Sequence, residues 1–306
     1  MRLMEDRLPK RGLFHLCVVY VLWSTTYMAM RVGVGPSSGF PPFIFGAMRF
    51  PVAAFILLGS ARVQGSNLKP TGREVISLCI VGNIFWLVGH GLILWASHYA
   101  DSGFTCLMAS SAPIWAAVLE TFIYKKRPTV PLIASLLIGF SGIAVLSLSS
   151  QTQMRGAGIS VIAALLLGAF GWALASALQA RMPVALDTKV TSGYHQLAAG
   201  FGFLAVSLLL GEPAPHPSPA AWAAWGYLVV FGSVFAFTSF VVALKLLPIN
   251  VVMTYAYVNP VLALFLGWAL LGEQVTLQVL LGAALVLLSV FAIFRVRQRR
   301  RGGAAS

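Results

Sequence analysis

The chain has 306 residues, of which 58% are hydrophobic and only 9% charged. A soluble domain carries about 25% charged residues, so a water-facing surface is excluded over most of this molecule and lipid must cover it. The net charge of +13 would suggest a nucleic-acid partner in a soluble protein, but here the basic residues fall in short gaps between apolar runs, where they encode orientation in a bilayer.

The first apolar run follows Arg7, Lys10 and Arg11, as in a signal peptide. It is too long for one, and no small-x-small cleavage site follows, so it is predicted to remain as the first helix. Apolar runs fall near residues 12–32, 41–61, 74–97, 103–124, 131–150, 156–180, 189–210, 220–244, 250–271 and 276–296. Each is about the 20 residues that span a hydrocarbon core, which predicts an all-α integral membrane fold of ten transmembrane helices. The runs are continuously apolar instead of alternating, which excludes a β-barrel. Turn residues separate them: Gly35-Pro36-Ser37-Ser38-Gly39, Gln64-Gly65-Ser66-Asn67, and four prolines from Pro213 to Pro219. Cys17, Cys79 and Cys106 lie inside apolar runs without metal-ligand spacing and read as packing residues. No metal, cofactor or nucleic acid is expected, and no obligate protein partner is evident.

Sorting lysine and arginine by loop puts 18 on the side of the two termini and two, Arg31 and Arg155, on the other, with Arg49 inside the second run. That bias predicts an inner-membrane protein with both termini in the cytoplasm. Sliding the chain by 147 residues lays Pro113 on Pro260, Ala96 on Ala243 and Thr129 on Thr276, and near-equal offsets lay Trp23 on Trp172. Residues 1–150 and 151–306 therefore read as two halves of five helices each. An odd number forces opposite orientations, the inverted repeat that recurs in secondary transporters.

These features carry a resemblance. Two five-helix halves, each with a proline in its fourth helix, resemble the drug/metabolite transporter superfamily, and in particular its EamA-type members. The run Tyr257-Val258-Asn259-Pro260, then Gly272-Glu273 and a glycine-rich last helix from Gly282, is similar to that family's signature. Trp23 and Met48-Arg49-Phe50 also fit, while Lys126 departs from it, standing where the second half has Glu273. Within the family the chain looks most like the YddG-type exporters. The resemblance implies export of aromatic and other neutral amino acids, with no enzymatic activity.

Polar groups inside a membrane helix usually face the bundle interior or a wet cavity. Asn83, Trp86 and His90 share one face at helical spacing, beside Gly82 and Gly89, and read as a cavity wall or as interhelical glue. Trp23 and Trp172 occupy matching mid-helix places, as aromatic lining or as packing groups. Pro113 and Pro260 each remove a helical hydrogen bond, freeing the carbonyls of Ala109 and Ala256 near Ser110, Tyr257 and Asn259. They are candidate hinges, with Gly89, or plain kinks.

The expected small-molecule site is one central cavity in which a substrate side chain lies among Trp23, Trp86, Trp172, Tyr99 and Tyr255. Aromatic faces would equally suit cationic drugs, so multidrug efflux is the alternative. Arg49 needs a partner at its depth, either a substrate carboxylate or a backbone carbonyl, and Glu120 reads as a snorkelling ion pair near Lys125 and Lys126. His90 and His195 are the candidate proton carriers. Gly139-Phe140-Ser141-Gly142 matches the G-x-S-G pattern of intramembrane serine proteases, with His195 as the deep histidine after it; this is a distant third reading.

Overall fold

A computed structural model of the protein describes residues 9–123, 129–149, 158–247, 249–252 and 254–302. Lys125, Lys126, Arg127 and Arg155, and the side chains of Glu120, Lys245 and Tyr257, lie outside the described residues. The described chain is helical, without a β-strand. Its helices are α1 (Lys10–Val34), α2 (Pro42–Val63), α3 (Gly72–Gly82, Asn83–Gly91 and Leu92–Ala96), α4 (Ser102–Ala109 and Ala112–Ile123) and α5 (Val130–Ser149). There follow α6 (Gly158–Arg181), α7 (Thr188–Leu210), α8 (Pro219–Tyr227, Leu228–Phe235 and Ala236–Leu246), α9 (Ile249–Val252 and Tyr255–Leu271) and α10 (Leu277–Gly302). Among the described residues seven helices are long and apolar enough to cross a membrane, and shorter apolar runs lie in α5, α9 and α10. Phe55, Leu208, Leu209, Leu210 and Trp268 stand exposed on the outside, as lipid contact allows.

Lipid gives helices no hydrophobic reason to associate, so close packing must hold them. Small residues supply it. Gly200 of α7 meets the ring of Pro51 in α2, and Gly193 meets Leu58. Gly46 of α2 and Gly91 of α3 both make room for the buried ring of Phe203 from α7. Gly142 of α5 packs on Val286 of α10, and Gly282 of α10 on Leu146 of α5.

Hydrogen bonds sort the loops into a terminal end, where α1 begins and α10 finishes, and a distal end. At the distal end Arg31 donates to the carbonyls of Ser97 and His98, at 3.1 and 2.7 Å. The amides of His216 and Ser218 donate to Gly39 and Ser38, both at 2.9 Å. Two carboxylates complete this end. Gly211 and Gly272 take left-handed conformations (φ 63° and 66°) that close α7 and α9. Each turns the following glutamate onto the start of another helix. Glu212 accepts from the amides of Phe43 and Ile44 in α2, at 3.0 and 2.8 Å. Glu273 accepts from those of Ser102 and Gly103 in α4, at 2.7 and 3.0 Å. The first amides of a helix have no partner within it and carry its positive dipole end, so a carboxylate is the fitting cap. At the terminal end Ala185 donates to Glu74 and Lys189 to Gln64, at 2.7 and 2.9 Å.

Three departures from regular helices matter. Asn83–Gly91 in α3 and Leu228–Phe235 in α8 are π-helical, with wider turns and i→i+5 bonds. They start at residues 83 and 228, an offset of 145, close to the repeat seen in the sequence. The third is a break in α4 at Ser110 and Ser111. Pro113 therefore stands in the first turn of a restarted helix, where a missing N–H costs nothing. Pro260 stays inside α9, so the two prolines expected as matching kinks do different things.

Candidate functional site

The site begins where α3 crosses α6. A Cβ on Gly89 would lie 3.1 Å from the backbone nitrogen of Trp172, and one on Gly168 would lie 2.9 Å from the carbonyl oxygen of Gly89. Only hydrogens fit between the two backbones, so the rings on either side are drawn together. Phe85 and Trp172 meet at 4.2 Å between centroids and 68°, and Trp86 and Trp172 at 6.0 Å and 82°. Trp86 also meets His90 at 5.7 Å and Phe50 of α2 at 5.3 Å. Edge-to-face pairs of this kind contribute about 0.5–1.5 kcal/mol each beyond burial. They make a rigid aromatic wall between α2, α3 and α6.

Arg49 of α2 adjoins that wall and is only 2% exposed. Its guanidinium carbon stands 5.0 Å from the Phe50 ring centroid. Nη1 lies 3.1 Å from Nε2 of His90. A guanidinium only donates, so Nε2 accepts and the imidazole proton sits on Nδ1. Nη2 donates to the Ser233 hydroxyl at 3.2 Å. The Nε–H is buried without an acceptor. His90 belongs to the π-helical stretch of α3 and Ser233 to that of α8, so Arg49 is bracketed by both irregular segments.

The structure brings together Trp86, His90, Trp172 and Gly89 from the residues singled out by sequence. It places the others elsewhere. Trp23 packs on Phe240 and Tyr255, at 5.0 and 4.9 Å, between α1, α8 and α9. Asn259 is buried in α9 with its Oδ1 unpartnered. Tyr99 lies at the distal end against Trp95 and His98, at 5.0 and 4.7 Å. Ser110 donates to the carbonyl of Cys106, at 2.8 Å, one turn back. Asn83 leaves the expected stripe: it donates to Cys79 at 2.9 Å and turns its amide toward Gly202 of α7. The wider π-helical winding is the reason, since it shifts the face that an ideal helix would give Asn83. The one aromatic cavity expected from three tryptophans is thus two clusters. The sequence does not single out Phe85 or Ser233 and offers Phe50 only within the Met48-Arg49-Phe50 run, although Gly168 and Gly171 stand beside Trp172.

A cavity of ≈ 220 Å³ lies toward the terminal end, between α3, α7 and the segment joining α6 to α7, with Met182, Pro183, Val184 and Leu186 in its wall. Ser77 and Val81 of α3, Gln179 of α6, and Thr188, Thr191 and His195 of α7 line it. Gln179 is seven residues beyond Trp172, about 10 Å along a helix. Ser141 is engaged otherwise, its hydroxyl donating to Leu137 at 2.9 Å, while Gly139 and Gly142 pack against Ser289 and Val286 of α10.

Comparison with known proteins gives a consistent answer. The sequence profile of the EamA-like transporter family matches twice, over residues 10–148 and 159–295. The uncharacterized inner membrane transporter YedA of Escherichia coli (strain K12) is 27% identical over 263 residues, covering 85% of this chain and 83% of YedA. The uncharacterized transporter YoaV of Bacillus subtilis is 24% identical over 275 residues, covering 89% and 93%. A Streptantibioticus cattleyicolor protein named "Probable terminal-alkyne amino-acid exporter" is 24% identical over 299 residues, covering 97% of both chains. One solved crystal structure shares the fold with a TM-score of 0.66 at 19% identity, covering 94% of this chain and 98% of that one. With two copies of the profile filling nearly its whole length, the chain belongs to the EamA-like transporter family and is a multi-pass membrane transporter.

Proposed function

We propose that this transporter exports neutral and aromatic amino acids across the inner membrane by alternating access, as YddG-type exporters do. In this reading ten spans form two inverted halves, residues 1–150 and 151–306, and both termini face the cytoplasm. The observation that carries it is the α3–α6 seam. Trp86 and Trp172, one from each half, close it as an aromatic wall, and the cavity beside His195 lies about 10 Å nearer the terminal end. The distal end is tied by Glu212, Glu273 and Arg31. An apolar wall part-way along the helices, with a cavity nearer one end and carboxylate ties at the other, suits one state of an alternating-access cycle. The amino-acid exporter among the relatives supports the substrate class. Efflux of cationic aromatic compounds draws on the same rings, but the Arg49 cation among them weighs against it.

Uptake of radiolabelled phenylalanine into liposomes holding only the purified protein tests this. Saturable uptake, competed by tryptophan and leucine, is expected. Monodisperse protein that gives no flux above empty liposomes for any amino acid overturns it.

A further inference from the structure

The Arg49 guanidinium is a buried cation without a counter-charge. Inside a bilayer such a group needs an acidic partner or a full set of acceptors. Among the described residues no carboxylate contacts it: Glu74 bonds to Thr71 and Ala185, Glu212 and Glu273 hold the starts of α2 and α4, and Asp101 and Asp187 precede α4 and α7. Of its five N–H groups, one faces His90 and one faces Ser233 at a long 3.2 Å. The Nε–H is buried with no hydrogen-bond acceptor. Gly232, next to Ser233, packs close against Nη2: a Cβ there would come within 3.2 Å of it.

Resting on the amino-acid reading above, we propose that Arg49 binds the carboxylate of the transported molecule, so that a carboxylate is an obligatory part of the substrate. The Nε–H and the parallel N–H of Nη2 form the fork that matches two carboxylate oxygens. The carboxylate takes the vacant Nε–H and displaces the weakly held Ser233 hydroxyl. His90 keeps Nη1 and fixes the plane of the fork. Phe50 and Trp86, 5.3 Å apart and buried against each other beside the guanidinium, part to admit the substrate's apolar side chain. An uncharged ester or a cationic drug leaves the guanidinium unpaired and is rejected. Loss of the Ser233 bond also removes one polar tie between α2 and the π-helical stretch of α8.

Titration calorimetry of the purified full-length protein with phenylalanine and with its methyl ester tests this. Charge-assisted bonds of this kind predict that the wild type binds the acid about 10- to 100-fold tighter than the ester. Arg49→Gln should bring that ratio close to one by weakening the acid alone. Arg49→Lys should keep part of it, having the charge without the fork, and Ser233→Ala should bind the acid at least as well as the wild type. An Arg49→Gln protein that elutes and melts normally and keeps the ratio overturns the proposal. If that variant does not fold, a full ratio in Arg49→Lys, or a tenfold loss of acid affinity in Ser233→Ala, overturns it. Equal binding of acid and ester by the wild type sinks this proposal and leaves the transport reading standing; binding of neither sinks both.

Discussion

Gly89 shows how one missing side chain positions others. A Cβ there would lie 3.1 Å from the Trp172 backbone nitrogen, closer than ordinary contact, and the ring pairs of the site adjoin that approach. Gly89→Trp is therefore expected to abolish phenylalanine uptake and lower the melting temperature, since overpacking costs about 1–3 kcal/mol. Trp172→Ala should raise the half-saturating concentration about tenfold while the protein still folds, because it removes one wall of the site; uptake kinetics in liposomes measure both. Ser141→Ala should leave uptake unchanged, its hydroxyl being bonded within its own helix. Residues of this kind were partly legible in the sequence. Trp86, His90 and Trp172 announce themselves as polar or aromatic groups in apolar runs. That Trp23 joins Phe240 and Tyr255 instead of Trp86 depends on which helices touch, and one sequence does not carry that.

The ends of helices carry a device that repeats. Gly211-Glu212 and Gly272-Glu273 each stop a helix with a left-handed glycine and send the next carboxylate to the amides of a helix about 170 residues away in the chain. Removing such a carboxylate leaves two amides without their charged acceptor, worth about 1.5–3 kcal/mol per bond at the upper end. Glu212→Ala and Glu273→Ala should each lower the melting temperature in detergent. Each should also make the distal loops more reactive toward a water-soluble thiol reagent at an introduced Ser37→Cys; unchanged labelling in both variants would refute the latch. The two Gly-Glu pairs are visible in the sequence, but their targets are not, because the loops meet only in three dimensions. Helix limits were read to within a few residues from apolar length and turn chemistry. The π-helical stretches were invisible to that reading, since an apolar run looks the same whichever way it winds.

At the scale of the molecule, composition and the length of the apolar runs specify a lipid-embedded helical bundle, and the family profile matches over residues 10–148 and 159–295. The proposed topology puts Ser37 and Asn67 on opposite sides of the membrane. In intact cells an impermeant maleimide should label Ser37→Cys and spare Asn67→Cys until the membrane is broken. The reverse pattern would invert the topology and the assignment of the cytoplasmic side. The fastening of the two ends differs in exposure. Glu212 and Glu273 hold part-buried helix amides at the distal end, whereas the terminal-end bonds from Ala185 to Glu74 and from Lys189 to Gln64 are exposed. The two ends are thus closed by bonds that differ in their access to water. Such a protein, idle and empty, is expected to rest with its distal side sealed and its binding groups insulated from that compartment. It would then leak little backward, because a solute on the sealed side must wait for two carboxylates to let go before it meets a tryptophan.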